Sequence, residues 1–314
     1  MKAPFFTICI PTFNRAHMVG KAIDSVVRQT FTDWQLIILD NHSTDGTEEL
    51  LREKCRGFGD KIRVIRHATN IGGTANFNFA LQSAEGQWMG ILPDDDEYRL
   101  HALETIHAAV SQRDDLVLWT HAQIALKEAS APHAVLFNPY VLEYETSKMA
   151  ELLYQRGNVF GQLSCYFLNV PALRASKTLF AKGTTTIDLQ FYIRFLRMNP
   201  SRRSIYWPDP LTCAYTGEES ASFHHSTTGI GALDLLRHFK DLAPLGWRKR
   251  VLLYQLARLM KCAVKYRKVA QTSEGRAALS GSTRALLSEF FHRPAQIEPQ
   301  AGSSRSDSSL SSER

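Results

Sequence analysis

The N-terminal third of the chain alternates between short apolar runs and amphipathic stretches. Apolar runs typical of buried strands lie at 5–10 and 34–39, and two further strands are predicted at 61–66 (KIRVIR) and 88–92 (WMGIL). Residues 17–28, 44–55 and 74–84 carry apolar positions at helical spacing, and a further helix and strand are predicted at 100–112 and 116–120. Strands that alternate with helices predict crossover connections and a largely parallel sheet, covered on both faces.

The pattern is less regular after residue 125. Short helices are predicted at 148–154, 172–176 and 189–196, and residues 231–270 favour helix. The segment 295–314 is rich in serine and has almost nothing to bury, so we expect disorder there. We therefore predict a sheet domain over 1–225, a helical C-terminal region over 226–294 and a disordered tail over 295–314.

Composition narrows the class of protein. Of the 314 residues, 44% are hydrophobic and 22% are charged, which is ordinary for a globular protein with a packed core. The formal net charge of +6 suits an anionic substrate or a phospholipid surface, although many proteins are equally basic without using it. The N-terminal two thirds lack the basic, aromatic-bearing stripe of a nucleic-acid binder, so we expect no nucleic-acid partner.

The cysteines and the N-terminus bear on the compartment. The five cysteines are scattered, odd in number and without a C-x-x-C pair, which favours free thiols in a reducing compartment over a disulfide scaffold or a zinc site. The first residues are only briefly apolar and are interrupted by Pro4 and Pro11, which is atypical of a signal peptide. No apolar run reaches the roughly 20 residues that a membrane-spanning helix needs. We therefore expect a cytoplasmic protein.

Polar side chains follow three of the first four predicted strands, at the point where each strand ends. PTFNR at 11–15 follows the first strand, DNHS at 40–43 the second, and DDDE at 94–97 the fourth. The carboxyl ends of parallel strands lie along one edge of a sheet, where ligands of such folds bind. The sequence therefore predicts that these three segments converge on one site.

The acidic run is the strongest single signal. Asp94 and Asp96 are two positions apart and can turn to the same side of an extended segment. Two carboxylates about 4 Å apart repel by roughly 4 kcal/mol at an effective dielectric of about 20, unless a cation or water screens them. Oxygen ligands favour Mg²⁺ or Mn²⁺. A solvated acidic loop is the alternative, and the position directly after a buried strand favours the metal site.

Asp40 comes directly after the second strand. It could cap the next helix, but Ser43, Thr44 and Asp45 can also supply that cap, so we expect Asp40 to be free to accept hydrogen bonds from a ligand. The glycine pair at 72–73 predicts either a tight turn or a close approach of the backbone to a phosphate. Neither G-x-G-x-x-G nor a P-loop is present.

Three segments together resemble the family 2 glycosyltransferases of the GT-A fold. They are 7–47, which begins TICIPTFNR, NIGGTANFNFAL at 70–81, and GQWMGILPDDDEY at 86–98. The resemblance is clear over about 5–125 and looser to about 225. It implies a Rossmann-like domain with a mostly parallel central sheet flanked by helices, divided into a nucleotide-binding part (1–125) and an acceptor part (126–225). It also implies sugar transfer with inversion, in bacterial surface-polysaccharide assembly.

The resemblance implies roles for individual residues. Asp40 matches the residue that reads the nucleobase, and Asp94 and Asp96 match the D-x-D residues that hold the metal and contact the donor. Asp95 lies in the same cluster and is counted with the donor-binding residues. The residues that match the lining of the nucleotide pocket are Pro11, Thr12, Asn14 and Arg15.

Two positions depart from the family pattern. Asn41 stands where a second acid is common, and Pro93 stands where an acid is common before the D-x-D residues. Neither change removes a residue that the expected reaction requires. Both leave the base and the sugar of the donor open.

The family also uses an acid at the start of a downstream helix as the base for the acceptor hydroxyl. Asp188, in GTTTIDLQFYIRFL, matches that placement, although a helix-capping role is the alternative. Asp209, Glu218 and Glu219 are rival bases. A base must lie within about 3 Å of the hydroxyl, a distance that sequence does not reveal.

Two further features are weaker. His224 or His225, in a segment that resembles the family's flexible loop, could contact the diphosphate or complete the metal shell, although loop histidines usually do neither. The stretch 247–268 predicts a helix with a basic face formed by Arg258, Lys261, Lys265 and Lys268. That helix could pack on the catalytic domain with its basic side in solvent, or it could dock on an anionic membrane.

We therefore predict a glycosyltransferase that uses Mn²⁺ or Mg²⁺ and carries a sugar from a nucleotide-sugar donor to a glycan or a lipid-linked glycan. Peripheral contact with the inner membrane face, through the basic helix, is an option. A nucleotidyltransferase is one alternative, but it normally has a Gly-rich basic loop that PTFNRAH does not resemble. A non-catalytic sugar-nucleotide binder is another, and the complete set of acids disfavours it.

Overall fold

The computed structural model describes residues 3–215, apart from 128–129, 136–137, 158–159 and 183–186. The predicted helical region, the Ser-rich tail and the last ten residues of the predicted sheet domain lie outside the described residues. So do four candidate site residues, Glu218, Glu219, His224 and His225. The predictions made for these segments stay predictions.

Four parallel strands form the N-terminal half of the sheet, as the sequence pattern predicts. They are β1 (Phe6–Thr12), β2 (Trp34–Asp40), β3 (Ile62–Arg66) and β4 (Trp88–Ile91), in the order β3-β2-β1-β4. Helices α1 (Val19–Val27), α2 (Thr47–Lys54) and α3 (Gly73–Ser83) connect them. The two-residue strand β5 (Glu97–Tyr98) and helix α4 (Ala102–Val110) follow.

The rest of the sheet is mixed, and most of its strands were not predicted. They are β6 (Leu116–Lys127), β7 (Ser130–Val135), β8 (Leu142–Glu145), β9 (Tyr166–Asn169) and β10 (Arg203–Tyr215). The full order is β3-β2-β1-β4-β9-β6-β10-β5, with β7 beside β6 and β8 beside β10. β9 is antiparallel to both of its neighbours, whereas β10 runs parallel to β6. The α/β class is thus confirmed, with a parallel half and a mixed half.

Helices cover both faces of this sheet, which explains the unbroken apolar runs. In β1, Ile8 and Ile10 pack on the face covered by α1, α2 and α4, whereas Cys9 packs on the opposite face. That second face is covered by α3 and by three later helices, α5 (Thr146–Arg156), α6 (Val170–Ser176) and α7 (Ile187–Arg197). Because successive strand residues point to opposite faces, both sets must be apolar.

The start of α2 differs from the prediction. Gly46, at φ 93°, is the N-cap residue, in place of Thr44 or Asp45. Asp45 still accepts a hydrogen bond from the Thr47 backbone N–H at 3.2 Å, one residue further from the helix than expected. No helix within the described ranges is long and apolar enough to cross a membrane. Cys9, Cys55, Cys165 and Cys213 are free thiols.

Candidate active site

The polar segments after β1, β2 and β4 come together on one edge of the sheet, as predicted. Thr12, at the end of β1, pairs in register with Asp40, at the end of β2. The Thr12 hydroxyl donates a hydrogen bond of 2.7 Å to the carboxylate of Asp94, which follows β4. Pro11 lies inside β1, where it is buried and paired with Leu39. The three polar segments 11–15, 40–43 and 94–97 therefore lie on one edge of the sheet, as predicted.

Asn14 fastens the loop after β1 to the loop after β2. Its backbone N–H donates to the Ser43 hydroxyl at 2.9 Å, and its side-chain oxygen accepts from the Thr44 N–H at 2.8 Å. Asn14 has φ 54°, a left-handed conformation that asparagine adopts more readily than most residues. The next residue, Arg15, donates its N–H to Thr47 at 3.2 Å. These bonds hold Arg15 beside the acidic run.

The carboxylate of Asp40 is engaged, contrary to the expectation that it is free. One oxygen accepts from the Ser43 backbone N–H at 3.0 Å and from the Ser43 hydroxyl. The other oxygen pairs with the guanidinium of Arg66, which also donates to the Ser43 carbonyl at 2.9 Å. Only 1% of the Asp40 side chain is exposed, so a ligand contacts this carboxylate only after a neighbouring group moves.

Asn41 has a role that the sequence did not reveal. Its amide nitrogen donates to the Asn70 side-chain oxygen at 2.9 Å, and its amide oxygen accepts from the Ile71 N–H at 2.9 Å. The Asn70 oxygen also accepts from the Gly72 N–H at 2.8 Å. A second acid at position 41 could not donate to Asn70. The departure from the family pattern is therefore built into the loop before α3.

The glycine pair before α3 forms a turn. Gly72 is the N-cap residue at φ 83°, a backbone conformation that favours glycine. A Cβ added at Gly72 or Gly73 would meet nothing within 4 Å. The turn interpretation is sufficient to explain Gly72, and the approach of a phosphate to this backbone stays a prediction.

The three consecutive aspartates after β4 are held by different neighbours. Asp94 is bonded to Thr12, whereas Asp96 is buried and accepts from the Ser164 hydroxyl at 2.6 Å and from the Tyr215 N–H at 3.0 Å. Asp94 and Asp96 therefore do not form the matched pair expected from their spacing. Among the residues that the structure describes, no other residue donates a hydrogen bond to the Asp95 carboxylate.

Burial disfavours the charged form of all three aspartates in the acidic run. Burial, with a smaller contribution from the charge of Asp95, raises the pKa of Asp94 to about 6 and that of Asp96 to about 8. Burial raises the pKa of Asp95 as well. The guanidinium of Arg15 opposes the shift at Asp94 and Asp95. A divalent cation would remove this electrostatic penalty.

A series of buried hydrogen bonds leads from Trp119 to Ser164, the residue that donates to Asp96. The Trp119 indole N–H donates to His121 Nδ1 at 3.1 Å, so the proton of His121 lies on Nε2, which is 2.7 Å from the Thr212 hydroxyl. Thr212 in turn donates to the Ser164 carbonyl at 3.5 Å. Burial lowers the pKa of His121 to about 3, which keeps the ring neutral. These residues lie in β6, β10 and the turn before β9, where sequence periodicity gave no signal beyond residue 120.

Asp188 lies in the first turn of α7 and is half-buried. The pKa of Tyr166 is raised mainly by burial and, to a smaller extent, by the charge of Asp188. The charge of Asp96 likewise raises the pKa of Cys165, after burial. Asp188 and Asp96 therefore act on consecutive residues, which places both acids near the same turn. The rival Asp209 is exposed and accepts from the Trp207 indole at 3.1 Å.

In the described part of the chain, no three His, Cys, Asp or Glu side chains converge as a ready metal site. Mg²⁺ and Mn²⁺ sites that serve phosphate substrates commonly use one or two carboxylates and complete their shell with water and phosphate oxygens. The oxygen donors at 94–96, with their raised pKa values, fit that smaller protein contribution.

Comparisons with known proteins agree with this arrangement. The family model described as "Glycosyl transferase family 2" matches residues 7–171. The putative colanic acid biosynthesis glycosyl transferase WcaA of Escherichia coli K12 is 31% identical over 160 residues, covering 50% of this chain and 55% of that protein. A Campylobacter jejuni GalNAc(5)-diNAcBac-PP-undecaprenol beta-1,3-glucosyltransferase is 33% identical over 104 residues, covering 33% of each chain. This chain thus spans about half the length, or less, of these curated relatives.

Solved structures share the fold. Staphylococcus aureus TarS 1–349 in complex with UDP-GlcNAc superposes with a TM-score of 0.69 at 17% identity, over 90% of this chain and 81% of TarS. Mannosyltransferase PcManGT from Pyrobaculum calidifontis, in complex with GDP-Man and Mn²⁺, superposes with a TM-score of 0.56 at 14% identity, over 93% of this chain and 88% of PcManGT. The expected GT-A fold is thereby confirmed. Because the family model covers more than half of its 314 residues, the chain belongs to glycosyl transferase family 2.

Proposed function

We propose that the protein transfers a sugar from a nucleoside diphosphate donor to a hydroxyl of a glycan or a lipid-linked glycan. The observation that carries this proposal is the bond between Thr12 and Asp94, which joins the ends of β1 and β4 on the edge that also holds Asp40. The names of the E. coli and C. jejuni relatives support a glycan or lipid-linked acceptor, and the TarS complex with UDP-GlcNAc supports a nucleotide-sugar donor.

Donor binding is assigned to the loops that Asn14 fastens together. Pro11 and Thr12 lie at the end of β1 on this edge. Arg15 lies close enough to Asp94 for its charge to lower the pKa of that carboxyl. An anionic diphosphate is attracted by the Arg15 guanidinium. Asp40 would accept from the nucleobase after the Arg66 guanidinium moves away from it.

Asp94, Asp95 and Asp96 are the residues that would hold a divalent cation. Asp95 is the best candidate for direct ligation, since Thr12 engages Asp94 and Ser164 engages Asp96. When bound, Mn²⁺ or Mg²⁺ supplies positive charge that stabilises the leaving diphosphate. Ser164 and the Tyr215 N–H fix the position of Asp96, and the chain from Trp119 through His121 fixes Ser164.

Asp188 is the proposed base. Its carboxylate accepts the proton of the acceptor hydroxyl while the hydroxyl oxygen forms a bond to the anomeric carbon and the bond to the diphosphate oxygen breaks. A single displacement of this kind inverts the configuration at the anomeric carbon. Asp188 is half-buried in the first turn of α7, and one of its carboxylate oxygens accepts a hydrogen bond from the Leu189 N–H at 2.8 Å.

The first test compares three variants with a matched control. Asp95→Asn, Asp94→Ala and Asp96→Ala are each expected to lower the release of nucleoside diphosphate from a panel of nucleotide sugars on the order of a hundredfold or more. Asp115→Asn removes an exposed carboxylate paired with Arg113 and should leave the rate unchanged. Full turnover of the wild-type chain in EDTA would contradict the metal assignment. Release of pyrophosphate in place of nucleoside diphosphate would contradict the reaction itself.

The second test isolates Asp188. Asp188→Asn is expected to reduce kcat by about 10²- to 10⁴-fold while donor binding is retained. Donor binding is measured as a thermal shift, because a ligand at 100 times its Kd stabilises a protein by about 2.7 kcal/mol. A normal transfer rate in Asp188→Asn would remove Asp188 from the mechanism, and loss of the thermal shift alone would assign it to donor binding.

A further inference from the structure

Two stretches of the chain are strongly basic: the segment between β9 and β10, and residues 247–268, which lie outside the described residues and contain eight Lys or Arg and no acid. Residues 171–203 contain seven Lys or Arg and one acid, Asp188, which is an excess equal to the formal net charge of +6 of the whole chain. A concentration of this kind on one part of a fold indicates an anionic partner for that part.

Part of this charge surrounds a cavity of about 450 Å³ beside α6 and α7. It is lined by Lys177, Thr178, Leu179, Arg194, Arg197 and Met198, a set that we call the α6–α7 patch. Among the described residues that line the cavity there are three cations and no acid. The patch also contains two strongly exposed apolar side chains, Leu179 at 43% and Met198 at 61% exposure.

The core sets the position of Leu179 in this patch. After α6, exposed and buried residues alternate, so that Leu179 faces outward while Phe180 is buried. Phe180 stacks on Phe191 of α7 at 4.4 Å between ring centroids, and its N–H and carbonyl are both bonded to the side chain of Asn78 in α3. The outward position of Leu179 is therefore set by the core.

We propose that the α6–α7 patch docks on the surface of an anionic phospholipid leaflet. Lys177, Arg194 and Arg197 would pair with lipid phosphates, and Leu179 and Met198 would enter the acyl boundary. A dissolved anion would account for the cations but not for the two exposed apolar side chains next to them. The combination of both groups around one cavity is what favours a lipid surface.

The placement of the patch suits the proposed acceptor. Asp188 begins α7 and Arg197 ends it, and nine residues of helix span about 14 Å. A protein docked through the end of α7 would thus hold the proposed base a short distance from the leaflet, within reach of a glycan on a lipid carrier. This last step rests on the proposed function, whereas lipid binding itself does not.

The test measures binding of the full chain to phosphatidylcholine vesicles with and without phosphatidylglycerol, by co-sedimentation. The wild type is expected to bind the vesicles that contain phosphatidylglycerol. Arg194→Gln with Arg197→Gln is expected to bind them about 30-fold more weakly. The matched control, Arg52→Gln with Arg56→Gln, removes the same charge from exposed positions at α2, on the other face of the sheet, and should bind as the wild type does.

A second variant separates a lipid surface from a dissolved anion. Leu179→Ser with Met198→Ser keeps every cation and is expected to lose vesicle binding as well. If this variant binds the vesicles as the wild type does, and inorganic phosphate competes for both, the partner is a soluble anion and the lipid assignment is overturned. Equal vesicle binding by the Arg194→Gln/Arg197→Gln variant and its control would also overturn it.

The outcome is independent of the transfer reaction. The Arg194→Gln/Arg197→Gln variant should keep the wild-type rate on a water-soluble acceptor, and it should lose rate on an acceptor presented in vesicles. A vesicle-binding defect in a chain that transfers no sugar to any acceptor would still support the patch, and it would count against the proposed function alone.

Discussion

His121 makes the stability of this protein depend on pH in a calculable way. The ring is fully buried, its Nδ1 accepts from Trp119 and its Nε2 lies 2.7 Å from the Thr212 hydroxyl, so the fold holds the neutral form. Burial lowers the pKa of His121 from 6.5 to about 3. Below pH 6.5 the unfolded chain binds a proton that the folded chain refuses, so stability falls as the pH falls, down to about pH 3.

The magnitude follows from that shift. At pH 5 His121 is protonated in the unfolded chain and neutral in the folded one. This pH lies about 1.5 units below the unfolded pKa, and at 1.36 kcal/mol per unit the folded state loses about 2 kcal/mol of stability relative to pH 6.5 and above. His121→Gln keeps a hydrogen-bonding side chain but cannot titrate. At pH 7 we expect this variant to be less stable than the wild type by about 1–3 kcal/mol, because the two buried bonds fit less well. At pH 5 the gap should narrow by about 2 kcal/mol.

Urea unfolding of the full chain at both pH values, followed by tryptophan fluorescence, measures this gap. All other titrating groups are common to both proteins and cancel in the comparison. Thr212→Val is the matched control, because it removes the neighbouring hydroxyl but retains the buried imidazole, so its gap to the wild type should stay nearly constant between pH 7 and pH 5. A gap for His121→Gln that is the same at both pH values would refute the assignment of a neutral buried ring.

Three further outcomes are expected. Asn41→Asp should destabilise the fold by about 2–4 kcal/mol at pH 8 and by less at pH 5 in urea unfolding, because a buried carboxylate would face the Asn70 oxygen, and this oxygen cannot turn away without losing its hydrogen bond from the Gly72 N–H. Gly90→Ala should cost about 1–3 kcal/mol in the same assay, because its Cβ would lie 2.8 Å from the Tyr98 hydroxyl inside the core. Binding of Mn²⁺, followed by calorimetry, should tighten from pH 6 to pH 8 with release of protons, because burial raises the pKa of Asp96 to about 8. Unchanged stability, or affinity that does not depend on pH, would contradict the respective arguments.

The N-terminal half of the fold could be predicted because its signals are local. Three of the first four strands are apolar runs followed by polar residues, and the connecting helices carry apolar positions at helical spacing. Convergence of Thr12, Asp40 and Asp94 on one edge then follows from parallel strand geometry alone. The bond from Thr12 to Asp94 confirms that convergence.

The other half could not be predicted because its strands are defined by distant partners. β9 is four residues long and lies between β4 and β6, and β10 contains two prolines and register shifts against β6. The role of Ser164 depends on that pairing, since only the assembled sheet brings its hydroxyl to Asp96. The error at Asp40 has a similar cause, because its partner Arg66 stands at the end of β3, 26 residues away.

The acids at the edge of the sheet differ in how their negative charge is compensated. Asp40 is neutralised by Arg66, which is in register with it on the neighbouring strand. The run at 94–96 has no comparable partner among the described residues, since Arg15 influences Asp94 and Asp95 but does not prevent burial from raising their pKa values. A diphosphate is itself anionic and would be repelled by three carboxylates. If this edge binds a nucleotide sugar as proposed, we expect a cation to lie between the phosphates and the ionised aspartates, because burial removes the water that would otherwise screen these charges.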